Sequence, residues 1–163
     1  MEHEKEVLLN SLTKQREHVL EILDGLSSEA LHQAVLPSGW TSLGLVNHLT
    51  FDVERCWFRE VLIGETFDDD QETDSVSAWL VPPDRSPEVV FGRYRHEIER
   101  ANAVIAATPL DAPPKAWPDF FGEWRLADQR EILVHVITET ATHAGHLDAV
   151  REIIDGRTWL RLT

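Results

Sequence analysis

The sequence has little cysteine and no long apolar run. Only one of its 163 residues, Cys56, is a cysteine, which excludes an internal disulfide and a zinc site built on cysteines. Cys56 lies in the apolar and aromatic run RCWF, so we expect a buried and unreactive thiol. No stretch approaches the roughly 18 consecutive apolar residues of a transmembrane helix, so none is expected.

Positive charge is also scarce. The chain has 15 Lys and Arg residues against 29 Asp and Glu residues, a formal net charge of −14. A solvated acidic surface repels polyanions, so we expect neither nucleic acid nor an anionic membrane as a partner. The first ten residues, MEHEKEVLLN, lack the basic and apolar regions of a signal peptide. We therefore expect a cytoplasmic protein.

Internal repeats, low-complexity tracts and candidate domain boundaries are missing, and the length is typical of one domain, placed at residues 1–163. Apolar spacing predicts long helices at about 4–23, 41–63, 86–107 and 128–156. A short helical turn is expected after Ser27, and the acidic run Asp68–Asp70 is expected to be a solvated loop. Four amphipathic helices with one long connection predict an all-α four-helix bundle.

The last predicted helix is the most informative stretch, because it begins at a capping residue, Asp128, and ends at Gly156. Four polar residues lie on or beside its apolar stripe, at His135, Glu139, His143 and His146. At about 100° per residue, Glu139 and His143 fall within roughly 20° of the direction of Ile132, a core position. A carboxylate and an imidazole therefore point toward the core.

A carboxylate that points toward the core needs a partner, because its desolvation is costly. A divalent metal is one candidate, and His48 on the second predicted helix is one of several possible third ligands. Two imidazoles and a carboxylate suit zinc, nickel, iron or manganese, and they leave a coordination position open for water or substrate. The alternative is that Glu139 and His143 form only a weak surface pair. Spacing alone leaves both interpretations open.

The sequence resembles a known family over almost the whole chain, and two motifs are the most specific parts of the resemblance. The run ETATHAGHLDAVREIIDG, preceded by ILVHVI, and the NHL of Asn47–Leu49 resemble the last and second helices of the DinB/YfiT-like metalloenzyme superfamily. They are most like a branch of unassigned function, common in actinobacteria, that is related to mycothiol-dependent maleylpyruvate isomerase. The resemblance implies an up-down-down-up four-helix bundle, a homodimer and a metal near one end.

The resemblance also implies a ligand set and a chemistry. His48, Glu139 and His143 would hold the metal, zinc above all; Glu139 stands where many members carry histidine but matches the His, Glu, His set of the isomerase relatives. His146 stands where many members carry glutamine and is expected beside the metal. The implied enzyme activates a low-molecular-weight thiol, mycothiol, for attack on an electrophilic small molecule. His146 is the candidate proton carrier and Arg125 the candidate for binding the thiol.

Other interpretations of the site and its surroundings stay open. The aromatic loop, with Trp117, Phe120, Phe121 and Trp124, is expected either to shape an apolar pocket or to pack as core. A metal-dependent hydrolase of small amides or esters would need a base, for which Asp52 is the nearby carboxylate. A non-catalytic dimeric bundle, acting in binding or stress response, would have a structural metal or none. A fourth ligand from His135 or His146 would favour a structural site.

Overall fold

The computed structural model describes residues 2–67 and 77–159, and these residues are all-α, without a strand. The α-helices are α1 (Glu2–Leu23), α2 (Ser28–His32), α3 (Ser42–His48), α4 (Pro87–Ala107) and α5 (Gln129–Asp155). A π-helical segment, Leu49–Leu62, continues α3 directly, and a 3-10 turn covers Asp119–Phe121. The acidic run Asp68–Asp70 lies outside the described residues. None of the helices described here has the length and apolarity needed to cross a membrane.

The long helices run up, down, down and up, as the resemblance implies. α1 and α5 are parallel, because Glu4 pairs with Arg130 near their beginnings and the Ile22 carbonyl accepts from Arg151 near their ends. Four contacts show that α4 and the helix formed by α3 and the π segment run against them: Lys5 with Thr108, Arg16 with Asn102, His48 with His143, and Trp57 with His135.

Local signals begin and end the helices where the sequence predicts. The carboxylate of Asp128 accepts the backbone N–H of Glu131 at 3.0 Å, and Gly156, with φ 78°, ends α5 in the left-handed conformation. The short α2 is capped in the same way, since the Ser27 hydroxyl accepts the N–H of Ala30 at 3.2 Å. The bounds of α5 therefore follow from its capping residues.

The second long helix differs from the regular α-helix expected over 41–63. From Leu49 onward it is π-helical, with i→i+5 hydrogen bonding. The change coincides with the hydroxyl of Thr50, which donates to the Val46 carbonyl at 2.8 Å and so competes for a backbone acceptor. Of the 14 residues in this segment 12 are buried, so the spacing of its apolar residues does not distinguish the two helix types.

Buried ion pairs connect the π segment to its neighbours. Arg16 of α1 donates two hydrogen bonds of 2.6 Å to Glu54, and both side chains are at most 3% exposed. Arg55 and Arg59 donate to Glu97 of α4. Buried charges must be paired because an unpaired charge in the interior is strongly destabilising. These pairs therefore fix the rotation of the π segment, with His48 at its beginning facing α5.

The single cysteine belongs to this core, as expected. Cys56 is 5% exposed and packs in the main hydrophobic cluster. Burial raises the pKa of its thiol well above the ordinary value, and the nearby carboxylates of Glu60 and Asp52 raise it further. A thiol that stays protonated is a poor nucleophile and a poor metal ligand.

Candidate metal site

The fold brings His48, Glu139 and His143 together, with one potential ligand atom of each within 4.8 Å of the others. Glu139 Oε1 lies 3.4 Å from His143 Nε2 and 4.0 Å from His48 Nε2. Ligand atoms in a tetrahedral zinc site, with bonds of about 2.1 Å, are about 3.4 Å apart. The cluster therefore has nearly the dimensions of a metal site.

The chemistry of the cluster fits a divalent cation. His48 Nε2 is buried and has no hydrogen-bond partner, a state that costs about 1–3 kcal/mol for a polar group. Glu139, whose side chain is 37% exposed, brings a carboxylate beside two imidazoles. A cation bound among the three would give the orphaned nitrogen a partner and balance the carboxylate charge.

The second nitrogen of each imidazole is already engaged. His48 Nδ1 lies 2.7 Å from Asp52 Oδ2, and His143 Nδ1 lies 3.4 Å from His146 Nδ1. Burial lowers the pKa of His143, and the nearby His48 lowers it further. The imidazole of His143 is therefore neutral near pH 7, which is the form that binds metals.

Trp79 forms a wall of the site that the sequence did not predict. Its indole stacks on His48 at 4.2 Å between ring centroids and meets His143 edge-on at 5.7 Å. Trp79 lies in the loop that precedes α4. Asn47 holds this loop by donating a hydrogen bond from Nδ2 to the Ala78 carbonyl at 2.8 Å. The loop also passes so close to Gly44 that a Cβ there would lie 2.3 Å from the Trp79 carbonyl oxygen. Asn47 of the NHL motif thus acquires a structural role.

Of the other predicted site residues, His146 contacts the cluster, whereas Arg125 contacts the aromatic loop. His146 is exposed, contacts the outer nitrogen of His143, and has the ring of Trp40 at 6.2 Å. Arg125 is exposed and donates to the carbonyls of Gly122 and Trp124, with its guanidinium 5.0 Å from the Trp117 ring. The contacts of Arg125 are thus within the aromatic loop.

The aromatic loop combines the two roles that the sequence left open. Trp117 and Phe121 pack against the core, whereas Phe120 is 74% and Trp124 46% exposed. The Trp124 ring lies 5.3 Å from His135, which precedes Glu139 by one helical turn. Exposed aromatic surface is therefore present one turn from the candidate ligands.

His135 belongs to this aromatic surface and not to the ligand cluster. Its ring lies edge-on to Trp57 at 4.6 Å, and burial lowers its pKa. In the part of the chain that the structure describes, the ligand cluster contains His48, Glu139 and His143 alone. Three protein ligands with an open position are typical of catalytic zinc, whereas structural zinc usually has four.

Comparison with known families agrees with this geometry. The family model described as mycothiol-S-transferase matches residues 7–156. Comparisons with curated proteins and with solved structures each find no match. The family match confirms the DinB/YfiT-like resemblance and covers all three residues of the cluster. The chain belongs to the mycothiol-S-transferase family.

Proposed function

We propose that the protein binds a divalent metal, zinc, through His48, Glu139 and His143 and transfers a low-molecular-weight thiol, mycothiol, to electrophilic small molecules. The observation that carries the proposal is the convergence of the three side chains on one point, with His48 Nε2 buried and unpartnered. The family match over residues 7–156 supports the thiol as cosubstrate.

The metal would supply an open coordination position at which a thiol is held in its deprotonated, nucleophilic form at neutral pH. The protein residues provide the rest of the chemistry. Glu139 contributes one negative charge to the ligand set, and Trp79 excludes water from the face of His48 on which it stacks. His146, exposed at the rim, takes up the thiol proton and passes it to solvent. The transfer forms a sulfur–carbon bond, and the leaving group of the electrophile departs with the bonding electrons.

We assign the electrophile to the aromatic surface formed by Trp124, Phe120 and the ring of His135. It lies one turn of α5 from Glu139, and burial lowers the pKa of His135, which keeps this surface uncharged near pH 7. Arg125 belongs to the same loop, and we propose that it binds a polar part of the thiol. The surface therefore favours apolar or aromatic electrophiles.

The geometry counts against a hydrolase that uses Asp52 as its base and against a four-ligand structural metal. Asp52 lies against Nδ1 of His48, on the side of the ring away from Nε2, so it does not face a water in the cluster as a hydrolytic base must. A structural site needs a fourth ligand, but the ring of His135 packs against Trp57 and His146 contacts the outer nitrogen of His143.

The test combines metal analysis with a conjugation assay on protein purified without a histidine tag. His143→Ala should lose the metal and His135→Ala should keep it, and equal retention in both would refute the ligand set. Wild-type protein should accelerate the reaction of mycothiol with monochlorobimane. If several electrophiles react no faster than without the protein, thiol transfer is wrong even when metal is bound. The homodimer and the cytoplasmic location stay predictions.

A further inference from the structure

Asp52 is bound to the outer edge of one proposed ligand. Its Oδ2 lies 2.7 Å from His48 Nδ1, one helical turn along the same helix, and its side chain is 49% exposed. A carboxylate can only accept a hydrogen bond, so Nδ1 must carry the proton. In the neutral ring, Nε2 then has a free lone pair. This is the nitrogen that lies 4.0 Å from Glu139 Oε1.

The His48 ring is held from two directions. Trp79 stacks on its face at 4.2 Å with an interplanar angle of 18°, while Asp52 holds its edge. The stacking limits the tilt of the ring, and it does so equally well for either tautomer. The hydrogen bond to Asp52, at 2.7 Å, favours the proton on Nδ1, because the carboxylate facing Nε2, that of Glu139, lies 4.0 Å away, beyond hydrogen-bond distance.

We propose that Asp52 is a positioning residue that fixes His48 as the Nδ1–H tautomer and aims the Nε2 lone pair into the ligand cluster. The inference rests on the proposed metal site and adds to it a residue outside the three ligands. Removing a carboxylate that holds a metal-binding histidine in this way typically weakens metal binding by about 10–100-fold. Exposed ion pairs contribute little to folding, so the folded state of an Asp52 variant should be preserved.

The chain contains a second pair of the same design that serves as a matched control. His18 Nε2 lies 2.7 Å from Asp148 Oδ1, and Trp159 stacks on His18 at 4.4 Å with an interplanar angle of 16°. The geometry resembles that of Asp52, His48 and Trp79, but His18 is not part of the ligand cluster. Removing Asp148 therefore reproduces the loss of an aspartate–histidine hydrogen bond without touching a ligand.

The experiment measures Zn²⁺ affinity of metal-depleted protein by competition with a chromophoric chelator. Asp52→Ala should weaken binding by about 10–100-fold, and Asp148→Ala should leave it within about twofold of wild type. Asp52→Asn, which keeps an accepting oxygen, should recover part of the loss. NMR signals of the two ring nitrogens of His48 should show the Nδ1–H tautomer in wild type and a mixture of the two tautomers in Asp52→Ala.

Each outcome separates this inference from the proposed function. If His48→Ala abolishes Zn²⁺ binding but Asp52→Ala binds as wild type does, the inference is wrong and the metal site stands. If Asp148→Ala weakens binding as much as Asp52→Ala, the effect is general and the inference is overturned. If wild-type protein itself does not bind Zn²⁺, the proposed function falls and this inference falls with it.

Discussion

The contact between Gly44 and the Trp79 loop gives a prediction that joins packing to the site. A Cβ added at Gly44 would lie 2.3 Å from the Trp79 carbonyl oxygen and 3.2 Å from Thr41 Oγ1. Heavy atoms in ordinary contact are about 3.5 Å apart, so Gly44→Ala must push the Trp79 backbone away by about 1 Å. That movement acts on the Asn47–Ala78 hydrogen bond of 2.8 Å and on the stacking of Trp79 against His48.

The change in the free energy of unfolding of Gly44→Ala is the sum of opposing effects. Overpacking costs about 1–3 kcal/mol, and weakening one buried hydrogen bond costs about 1 kcal/mol. Replacing a helical glycine by alanine returns about 0.5–1 kcal/mol. We expect Gly44→Ala to lower the free energy of unfolding by about 1–3 kcal/mol, to alter the near-ultraviolet circular dichroism of the tryptophans, and to weaken Zn²⁺ binding because His48 loses its stacked neighbour.

Urea unfolding at pH 7 measures this change, and Gly92→Ala is the control. Gly92 lies exposed in the second turn of α4, and a Cβ there meets nothing within 4 Å. Its replacement should therefore stabilise the protein by about 0.5–1 kcal/mol. If Gly44→Ala is as stable as Gly92→Ala and binds Zn²⁺ as wild type does, the close approach of the Trp79 loop has no effect on the site and the reasoning is refuted.

Three further predictions concern charge, acidity and substrate. Glu139→Gln removes the only charged ligand and should weaken Zn²⁺ binding at least about tenfold in the chelator competition; unchanged affinity would remove this residue from the ligand set. A hydrogen bond from Arg59 lowers the pKa of Glu65 below 4.5, so folding gains stability from this pair above that pH and loses it as pH falls. Glu65→Gln should therefore be less stable than wild type at about pH 7 and should approach it at about pH 3; an equal deficit at both would contradict this. Trp124→Ala should raise KM for aromatic electrophiles without lowering kcat, whereas Trp159→Ala should change neither, and equal effects of the two would show that no aromatic subsite exists.

The parts of the fold with local causes could be predicted from the sequence. Asp128 and Gly156 determine the ends of α5 through hydrogen bonds and a backbone conformation that involve only neighbouring residues. Glu139 and His143 could be selected for the same reason, because four residues in a helix bring two side chains to one face. The directions of the helices required the resemblance, since spacing does not specify which helices are parallel.

The parts with long-range causes could not be predicted in this way. By spacing alone His48 was one of several possible third ligands; the resemblance named it, and the structure places it against α5. Trp79 lies 31 residues beyond His48 in the chain, in a connection between helices. No periodic pattern there predicts that its side chain contacts the site. His18 is partly buried between Asp148 and Trp159, because α1, α5 and the segment that follows α5 meet there. Each of these depends on contacts between elements that are distant in sequence.

The position of Glu139 between His48 and His143 shows how its carboxylate could contribute to a metal site. In the sequence it was the departure from a three-histidine pattern that favoured thiol transfer. In the structure its Oε1 lies between the two imidazoles, 3.4 Å and 4.0 Å from their Nε2 atoms. The Glu139 carboxylate therefore lies between the imidazole of α3 and the imidazole of α5 at the proposed metal site.

A Zn²⁺ titration of metal-depleted protein, followed by the rate of mycothiol conjugation to monochlorobimane, tests the proposed metal-dependent thiol transfer. We expect the rate to rise with added Zn²⁺ and to stop rising at one ion per chain, and we expect His143→Ala to stay at the uncatalysed rate throughout. A wild-type rate that does not depend on Zn²⁺, or a His143→Ala variant as active as wild type, would contradict this proposal.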